Sequence, residues 1–332
     1  ARPRAFRPVG RGIEGLATRM VGRDRELAAL QGAFTALFDE RRFAMVTVVA
    51  EAGVGKSRIL QEFERWAGGQ PISFRTIRGR AIPSTQGQPY GLLRDVIAWQ
   101  MQIADGNSMP AAKQKLEAGT LAWFDGGDGM AQAHAHLLGH LIGLDFGDSP
   151  HIIGIRDDAR QIRSRAFHAA ALLLRRIAEP GAGPRGTPIV LALEDLHWAD
   201  DGTLDFLQDL AEVDRDVPVL VLALTRPALF ERRPEWGHGF THQRIDLGPL
   251  DPGTSRQLAG ELLKKLPEVP AALSELVAGR AEGNPFYMEE LVKMLVDRGA
   301  IATAGARWSL DPQRLLATAV PTSLTGVLQA RL

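Results

Sequence analysis

Residues 50–57 read Ala-Glu-Ala-Gly-Val-Gly-Lys-Ser and lie between two strongly patterned segments. The apolar run from Phe43 to Val49 predicts a buried strand, and Ser57 to Ala67 carries apolar residues at helical spacing. A strand that turns through glycines into a helix is the setting of the phosphate-binding loop GxxxxGK[ST]. The stretch departs from that pattern only in having Ala50 at the first glycine position. It therefore predicts an α/β fold built around a polyphosphate-binding turn.

The residue types in this turn suit a nucleoside polyphosphate. Backbone N–H groups of a glycine turn and of a helix start converge on an anion. Lys56 is expected to reach the β- and γ-phosphates, and the Ser57 hydroxyl is expected to bind Mg²⁺. A methyl group at Ala50 fits if its φ is negative. We therefore expect the substitution to leave nucleotide binding in place.

A second apolar run, Pro188 to Leu193, closes on the acids Glu194 and Asp195. Such a strand is typical of the Walker B element, in which one acid lies behind Mg²⁺ and the next polarises the attacking water. Successive strand residues face opposite sides, so the two acids are expected to differ in role. Chain order assigns Glu194 to the metal and Asp195 to the water, although Asp is the commoner residue at the first position and the assignment stays open.

A third apolar run, Val217 to Leu224, is followed by Thr225 and Arg226. Side chains at the carboxyl ends of parallel strands face the ligand crevice. Arg226 is therefore a candidate to contact the γ-phosphate and to report the nucleotide state. The alternative is a surface arginine that precedes a proline turn.

Strand and helix patterns alternate up to about residue 250 and are helical beyond it. Continuous apolar strands separated by helices predict a parallel sheet covered by helices on both faces. Further strands are expected at Ile72–Ile77 and Gln243–Leu247, a short hairpin at Ile301–Leu310 and a last helix at Ser323–Leu332. Residues 1–19, rich in Arg, Pro and Gly, are expected to be a linker; the alternative is a basic arm that contacts an anionic partner.

Composition limits the partners that we expect. The chain has 332 residues, and 39 Lys and Arg balance 39 Asp and Glu, so nothing suggests binding to nucleic acid or to a membrane surface. Cysteine is absent, which excludes disulfides and thiol chemistry and suits the cytoplasm. The apolar runs are too short to span a bilayer. The chain starts without Met and stops within a helical pattern, which predicts a piece of a longer protein.

Several motifs, in this order, resemble the STAND group of AAA+-related signal-transduction ATPases. The similarity is greatest to the ATPase module of multidomain bacterial class III adenylate cyclases, and extends to large LuxR-type regulators. Residues 11–16, Arg-Gly-Ile-Glu-Gly-Leu, are similar to the linker in the cyclase fusions. The motifs are Val21 to Leu27, the phosphate loop, Leu193 to Asp200, Thr225 to Pro227, and Glu282 to Phe286.

The resemblance implies ATP or ADP with Mg²⁺ as cofactors and assigns residues to them. Val21 to Arg23 would lie near the adenine, and Pro285 on the helical lid would pack against the nucleotide. Ser57 and Glu194 would hold the metal. The implied catalytic residues are Lys56, Glu194, Asp195 and Arg226, and the implied nucleotide-binding residues are Val21, Gly22, Arg23, Gly53, Val54, Gly55, Lys56, Ser57, Arg58 and Pro285.

The implied domains are a linker at 1–19, a P-loop nucleotide-binding domain at 20–250, a helical lid at 251–300 and the beginning of a winged-helix domain at 301–332. The implied function is a slowly hydrolysing ATP switch that regulates an attached effector, an adenylate or guanylate cyclase domain. A LuxR-type regulator and a non-hydrolysing nucleotide-binding scaffold are the alternatives. Expected partners are effector and sensor domains of the same longer chain and a nucleotide-dependent homo-oligomer, with no direct nucleic-acid binding and no membrane.

Overall fold

The structure is a computed structural model that describes residues 13, 16–124, 130–178, 187–213, 215–303, 307–318 and 326. The chain divides into two compact units. The first unit includes Ala29–Val49 and Gly69–Ile245, and the second includes Pro8–Ala28, Ala50–Gly68 and Asp246–Leu332. Each unit has a hydrophobic core of its own.

Five strands form the sheet of the first unit: β1 (Ala44–Val49), β2 (Arg75–Arg80), β3 (Ile189–Glu194), β4 (Val219–Thr225) and β5 (His242–Asp246). Their order is β2-β3-β4-β1-β5, and β2 with β3, β3 with β4, and β1 with β4 pair in parallel. Val49 lies opposite Thr225, and Leu193 lies opposite Ala223. The carboxyl ends of β1, β3 and β4 therefore meet at one edge, and the predicted α/β class with a parallel sheet is confirmed.

The burial of each strand explains how accurately the apolar runs of the sequence predicted its bounds. β3 and β4 are buried along their whole length, which requires the continuous apolar runs seen in the sequence. β2 is an edge strand in which Ile77 and Gly79 are buried while Thr76 and Arg78 are exposed. The predicted strand at Ile72–Ile77 is therefore wrong in its bounds, because a one-sided edge strand alternates and has no apolar run.

The helices of the first unit surround one core. Leu92, Leu116, Leu138 and Phe206 belong to the same buried cluster as the inner strands. Two of these helices lie between residues 107 and 148, in the part of that region that the structure describes. The helices are α1 (Asp24–Glu40, which starts in the second unit), α3 (Gly91–Gln100), α4 (Met109–Leu121), α5 (Ala131–Leu141), α6 (Ala159–Ala178), α7 (Asp201–Val213) and α8 (Ala228–Arg232).

The second unit is mainly helical, as the sequence predicted beyond residue 251. Its elements are α2 (Lys56–Gly68), α9 (Pro252–Leu263), α10 (Ala271–Arg280), α11 (Pro285–Asp297), the antiparallel pair β6 (Ile301–Ala302) and β7 (Ser309–Leu310), and α12 (Pro312–Ala317). Leu262, Val277 and Met288 lie in its core. The predicted hairpin is present, whereas the predicted last helix lies outside the described residues except for Gly326. Within the described ranges, no helix combines the length and the apolarity that crossing a bilayer requires.

The described part of the N-terminal segment packs on the second unit. Ile13 lies in that unit's core, and Leu16 contacts it. Lys264 Nζ donates to the carbonyl oxygen of Ala17 at 2.5 Å, and the Arg19 N–H donates to the Glu261 carboxylate at 3.2 Å. Ile13 and Leu16 of the expected linker thus contact the core of this unit, and Ala17 and Arg19 contact the C-terminal end of α9 and its cap. The predicted domain boundaries stay predictions.

Candidate functional site

The phosphate loop, residues 50–57, leaves β1 and enters α2 at Lys56. Its positive-φ positions are Gly53, at φ +83°, and Gly55, at φ +115°. These conformations favour glycine because a side chain would be strained there. Ala50 has no such φ and is buried at 3% exposure. A methyl group was expected to fit at this position if its φ is negative, and the backbone of Ala50 agrees with that expectation.

The loop offers room and positive charge to an anion. A Cβ built on Gly55 would meet no heavy atom within 4 Å, so the space beside it is open. Lys56 Nζ donates to the carbonyl oxygens of Ala50 at 2.5 Å and Glu51 at 3.1 Å, which keeps the ammonium group on the loop. Ser57 is the second residue of α2 and is half-buried. These residues fit a polyphosphate with an accompanying cation.

Two predicted nucleotide-binding residues next to the loop have contacts of their own. The Val54 side chain is buried. The Arg58 guanidinium donates to the carbonyl oxygen of Thr18 at 2.6 Å and pairs with Glu62 at 2.7 Å. Arg58 therefore braces the start of α2, and its role toward a nucleotide stays a prediction.

The segment predicted to lie near the adenine is held within the second unit. Val21 packs against that unit's core. Gly22 has φ +65°, and a Cβ there would lie 2.3 Å from the Thr254 side chain, so the position requires glycine. Arg23 pairs with Glu26 at 3.3 Å and donates to the carbonyl oxygen of Gly248. The adenine contact stays a prediction.

Pro285 begins α11, and the residues beside it bring that helix to the phosphate loop. Asn284 Nδ2 donates to the carbonyl oxygen of Ala52 at 3.1 Å. The Phe286 N–H donates to the carbonyl oxygen of Gly53 at 3.2 Å. The second unit thus joins two motifs that the sequence treated separately. The sequence assigned Asn284 no role, although an Asx–Pro pair before an apolar run marks a helix N-cap.

The two acids of the predicted Walker B element differ in backbone conformation. Glu194 is the last residue of β3 and is 8% exposed. Asp195 has φ +55° and ψ +37°, in the left-handed region. It therefore lies in a turn, and the alternation of side chains along a strand does not apply to it. The roles of the acids stay predictions, but the physical reason for a difference between them is the turn.

Arg80 holds the Asp195 carboxylate. Its Nε and Nη2 lie 2.8 Å and 2.7 Å from Asp195 Oδ2. Arg80 ends β2 and lies opposite Glu194 in the register, which puts its side chain at the carboxyl edge. The sequence missed it because the predicted second strand stopped at Ile77. An arginine that closes an edge strand of the sheet was the available signal.

The turn after Asp195 is fixed by arginines from α8 and its C-cap. Arg232 donates to the carbonyl oxygens of His197 at 2.9 Å and Ala199 at 3.1 Å. Arg232 and Arg233 both reach the Asp201 carboxylate at 3.0 Å. Although desolvation raises it, the hydrogen bonds and charges of Arg233 and Arg232 hold the pKa of Asp201 below its usual value. The segment that follows Glu194 and Asp195 is therefore held in place by these two arginines.

Arg226 follows β4 at the same sheet edge. Its Nε is buried and has no hydrogen-bond partner among the residues that the structure describes. A buried donor without a partner costs about 1–3 kcal/mol. An anion would satisfy it, which suits the predicted sensor role, and that role stays a prediction.

Known proteins resemble this chain in fold and in sequence. The ORC1 protein of Aeropyrum pernix, solved in complex with DNA, matches with a TM-score of 0.53 at 12% identity, over 95% of this chain and 66% of that chain. An uncharacterized protein of Rhizobium meliloti (strain 1021), R02095, is 25% identical over 297 residues. That match covers 87% of this chain and 26% of the relative, so the chain spans about a quarter of the relative's length.

The prediction that the chain does not bind nucleic acid directly is contradicted. It rested on neutral net charge, yet the same fold occurs in a protein whose structure contains DNA. Net charge sums over the whole chain and does not report how charge is distributed over any one surface. The exclusion is therefore withdrawn.

A family model adds an independent match. The model described as an AAA ATPase domain matches residues 19–222, well over half of the chain. The matched range contains the phosphate loop, Arg80 and both acids of β3 and its turn. The chain therefore belongs to the AAA ATPase domain family.

Proposed function

We propose that this chain is an ATP-binding switch with slow hydrolysis that regulates an effector in a longer polypeptide. The observation that carries the proposal is the loop at 50–57, with glycines at both positive-φ positions and Lys56 held on it. Slow turnover suits a switch, because the nucleotide state must outlast the signal. The effector is an adenylate or guanylate cyclase domain, which the order of the motifs favours.

The residues divide the work as follows. Lys56 exchanges its carbonyl partners for phosphate oxygens, and the N–H groups of the loop surround them. Ser57 would offer the cation a hydroxyl oxygen and Glu194 a carboxylate oxygen, the ligand types that magnesium prefers. When bound, Mg²⁺ supplies positive charge that stabilises the transferring phosphoryl group. Asp195 orients and deprotonates the water, and Arg226 contacts the γ-phosphate.

Calorimetric titration with Mg·ATP and Mg·ADP tests the binding site. Lys56→Ala removes a charge-assisted hydrogen bond, so affinity is expected to fall by about 10- to 150-fold. Lys115→Ala is the matched control, because Lys115 donates to the carbonyl oxygen of Gln102 away from the loop. Unchanged binding in Lys56→Ala would rule out this site.

Single-turnover hydrolysis separates the switch from the scaffold alternative. Asp195→Asn keeps the side-chain size but cannot take a proton, so hydrolysis should slow by about 10²- to 10⁴-fold. Phosphate release at the wild-type rate in this variant would rule out catalysis by Asp195, whereas wild-type protein that releases no phosphate in a single turnover would favour the non-hydrolysing scaffold. Sequencing the flanking codons distinguishes a cyclase domain from the DNA-binding domain of a LuxR-type regulator. The relative's greater length supports looking for such neighbours.

Duplex DNA binding is a second candidate function, favoured by the fold shared with the DNA-bound ORC1 protein. Fluorescence anisotropy of a labelled duplex at several salt concentrations tests it. The logarithm of the affinity is expected to fall linearly with the logarithm of the salt concentration, because a protein that neutralises phosphates releases their counterions. A constant anisotropy at low salt, with and without Mg·ATP, would eliminate this candidate.

A further inference from the structure

Three helices of the second unit begin with the same device. Asp251 precedes Pro252 in α9, Asn284 precedes Pro285 in α11, and Asp311 precedes Pro312 in α12. In each case the side-chain oxygen accepts from the two N–H groups that follow the proline. Asp and Asn serve about equally well as N-caps, and proline suits the first helical position. Capping alone therefore does not explain an amide at one of the three positions.

The amide of Asn284 makes a bond that a carboxylate could not make. While Oδ1 accepts from Phe286 at 3.1 Å and Tyr287 at 3.2 Å, Nδ2 donates to the carbonyl oxygen of Ala52 at 3.1 Å. The approach is close, since a Cβ on Gly53 would lie 2.5 Å from Asn284 Oδ1. One side chain thus caps α11 and holds the phosphate loop.

The turn before Asn284 fixes it in this place. Glu282 and Gly283 have φ of +47° and +76°, a left-handed pair. A Cβ on Gly283 would lie 2.3 Å from the carbonyl oxygen of Leu250, whose own N–H donates to the Gly283 carbonyl oxygen at 2.8 Å. The chain is therefore pinned on one side by Leu250 and on the other by the phosphate loop.

Peptide geometry links these bonds to the phosphate-facing donors. In a trans peptide the C=O and the N–H point in opposite directions, and the structure has no cis peptide in its described residues. Holding the carbonyl oxygen of Ala52 turns the Gly53 N–H away from Asn284. The bond from Phe286 to the Gly53 carbonyl oxygen does the same for the Val54 N–H.

We propose that Asn284 is a positioning residue for the phosphate loop, which orients the Gly53 and Val54 N–H groups before a nucleotide binds. The proposal rests on the proposed nucleotide-binding function of the loop. It gives the motif at 282–286 a role toward the phosphates, in addition to the contact expected of Pro285. Such preorganisation raises affinity by reducing the ordering that binding requires.

Two variants separate positioning from capping. Asn284→Asp and Asn284→Ser both keep an oxygen that caps α11. Asp has no donor, and Ser has only a shorter hydroxyl in place of the Nδ2 that donates to Ala52. The expected result is about 3- to 10-fold weaker binding of Mg·ATP in calorimetry, the value of one hydrogen bond. Amide hydrogen exchange at residues 50–57 of the nucleotide-free protein is expected to become faster by a similar factor. Asp311→Asn, the same exchange at a cap without a loop contact, should change neither.

The outcomes distinguish this proposal from the function it rests on. Unchanged exchange at residues 50–57 in both Asn284 variants would overturn the positioning role, whatever the affinity. A fall in melting temperature with unchanged affinity and unchanged loop exchange would leave Asn284 as a helix cap only. Wild-type protein that binds neither Mg·ATP nor Mg·ADP would overturn the proposed function, and the exchange measurement would still decide the role of Asn284 in the loop.

Discussion

At the residue scale, the ion pair with Arg80 holds the Asp195 carboxylate, which is the group proposed to activate water. An Asp195 that has taken a proton loses its ionic attraction to Arg80, and a partly exposed pair contributes about 0.2–1 kcal/mol. We predict that Arg80→Ala raises single-turnover ATP hydrolysis by up to about fivefold. Arg94→Ala, which removes an ion pair with Asp95 on α3, is the control. Slower hydrolysis in Arg80→Ala would indicate instead that the ion pair supports the catalytically active conformation.

A second residue-scale prediction concerns His242 and the pH dependence of stability. Burial, with the charges of Arg244 and His238, lowers the pKa of His242 from its usual 6.5. Its Nε2 lies 2.9 Å from Thr47 Oγ1, which accepts a hydrogen bond from Trp236 Nε1, so the hydroxyl can donate its hydrogen bond to Nε2 of neutral His242. The unfolded chain then binds more protons below the usual pKa, and the free energy of unfolding falls as pH falls.

Urea unfolding at pH values on both sides of the usual histidine pKa measures this effect. His242→Gln keeps a hydrogen-bonding side chain without a titrating ring, so its stability should depend less on pH than that of the wild type. His168→Gln, at an exposed position of α6, should leave the wild-type slope in place. Equal slopes in His242→Gln and the wild type would refute the assignment.

At the element scale, α4 and α5 pack closely through Gly139. A Cβ there would lie 2.3 Å from the Phe146 ring and 2.8 Å from Leu116. Ala normally stabilises a helix by about 1 kcal/mol relative to Gly. We predict instead that Gly139→Ala lowers the free energy of unfolding by about 1–3 kcal/mol, because the extra methyl overpacks the contact.

The matched control lies in α1 of the same unit. A Cβ on Gly32 would meet no heavy atom within 4 Å. Gly32→Ala should therefore stabilise the protein by about 0.5–1 kcal/mol, since only the backbone entropy of the unfolded chain changes. Urea unfolding should show a lower free energy of unfolding for Gly139→Ala and a higher one for Gly32→Ala. A change in the same direction in both variants would contradict the described packing of α4 on α5.

The elements that could be predicted are those whose signal lies in their own residues. The runs that became β1, β3 and β4 were located within about two residues, because burial on both faces leaves a continuous apolar run. β2 was displaced because an edge strand with Arg78 on its exposed side lacks that run. The inward Gly79 added no apolar signal, although a Cβ there would lie 2.7 Å from Val96.

The residues of the candidate site could likewise be proposed from the sequence only where the signal is local. Lys56 and Ser57 could be proposed from the sequence because the loop motif is local, and the two acids because they follow an apolar strand; their roles stay predictions. The left-handed turn at Asp195 was not expected, since glycine or asparagine is commoner in that conformation. The contacts of Arg80 and Asn284 join segments far apart in sequence, and no local pattern specifies them.

At the scale of the whole molecule, the phosphate loop and α2 belong to the same compact unit as the helices beyond residue 246. The carbonyl bonds from Asn284 and Phe286 join the loop to α11, whose residues Met288 and Leu291 lie in that unit's core. A ligand held by the loop therefore binds the folded form of this unit. Its effect should extend to the core and not stop at the loop.

The last prediction measures that coupling. A ligand that binds only the folded form stabilises it by about 2.7 kcal/mol at one hundred times its Kd. Mg·ATP at that excess should slow hydrogen exchange about a hundredfold at core amides of α9, α10 and α11, such as those of Leu262, Val277 and Met288, where exchange requires unfolding of the unit. Lys56→Ala, with its roughly 10- to 150-fold weaker binding, should keep only about 2- to 11-fold protection at the same nucleotide concentration. Protection confined to residues 50–57 would mean that the loop binds nucleotide without stabilising the helices that hold it.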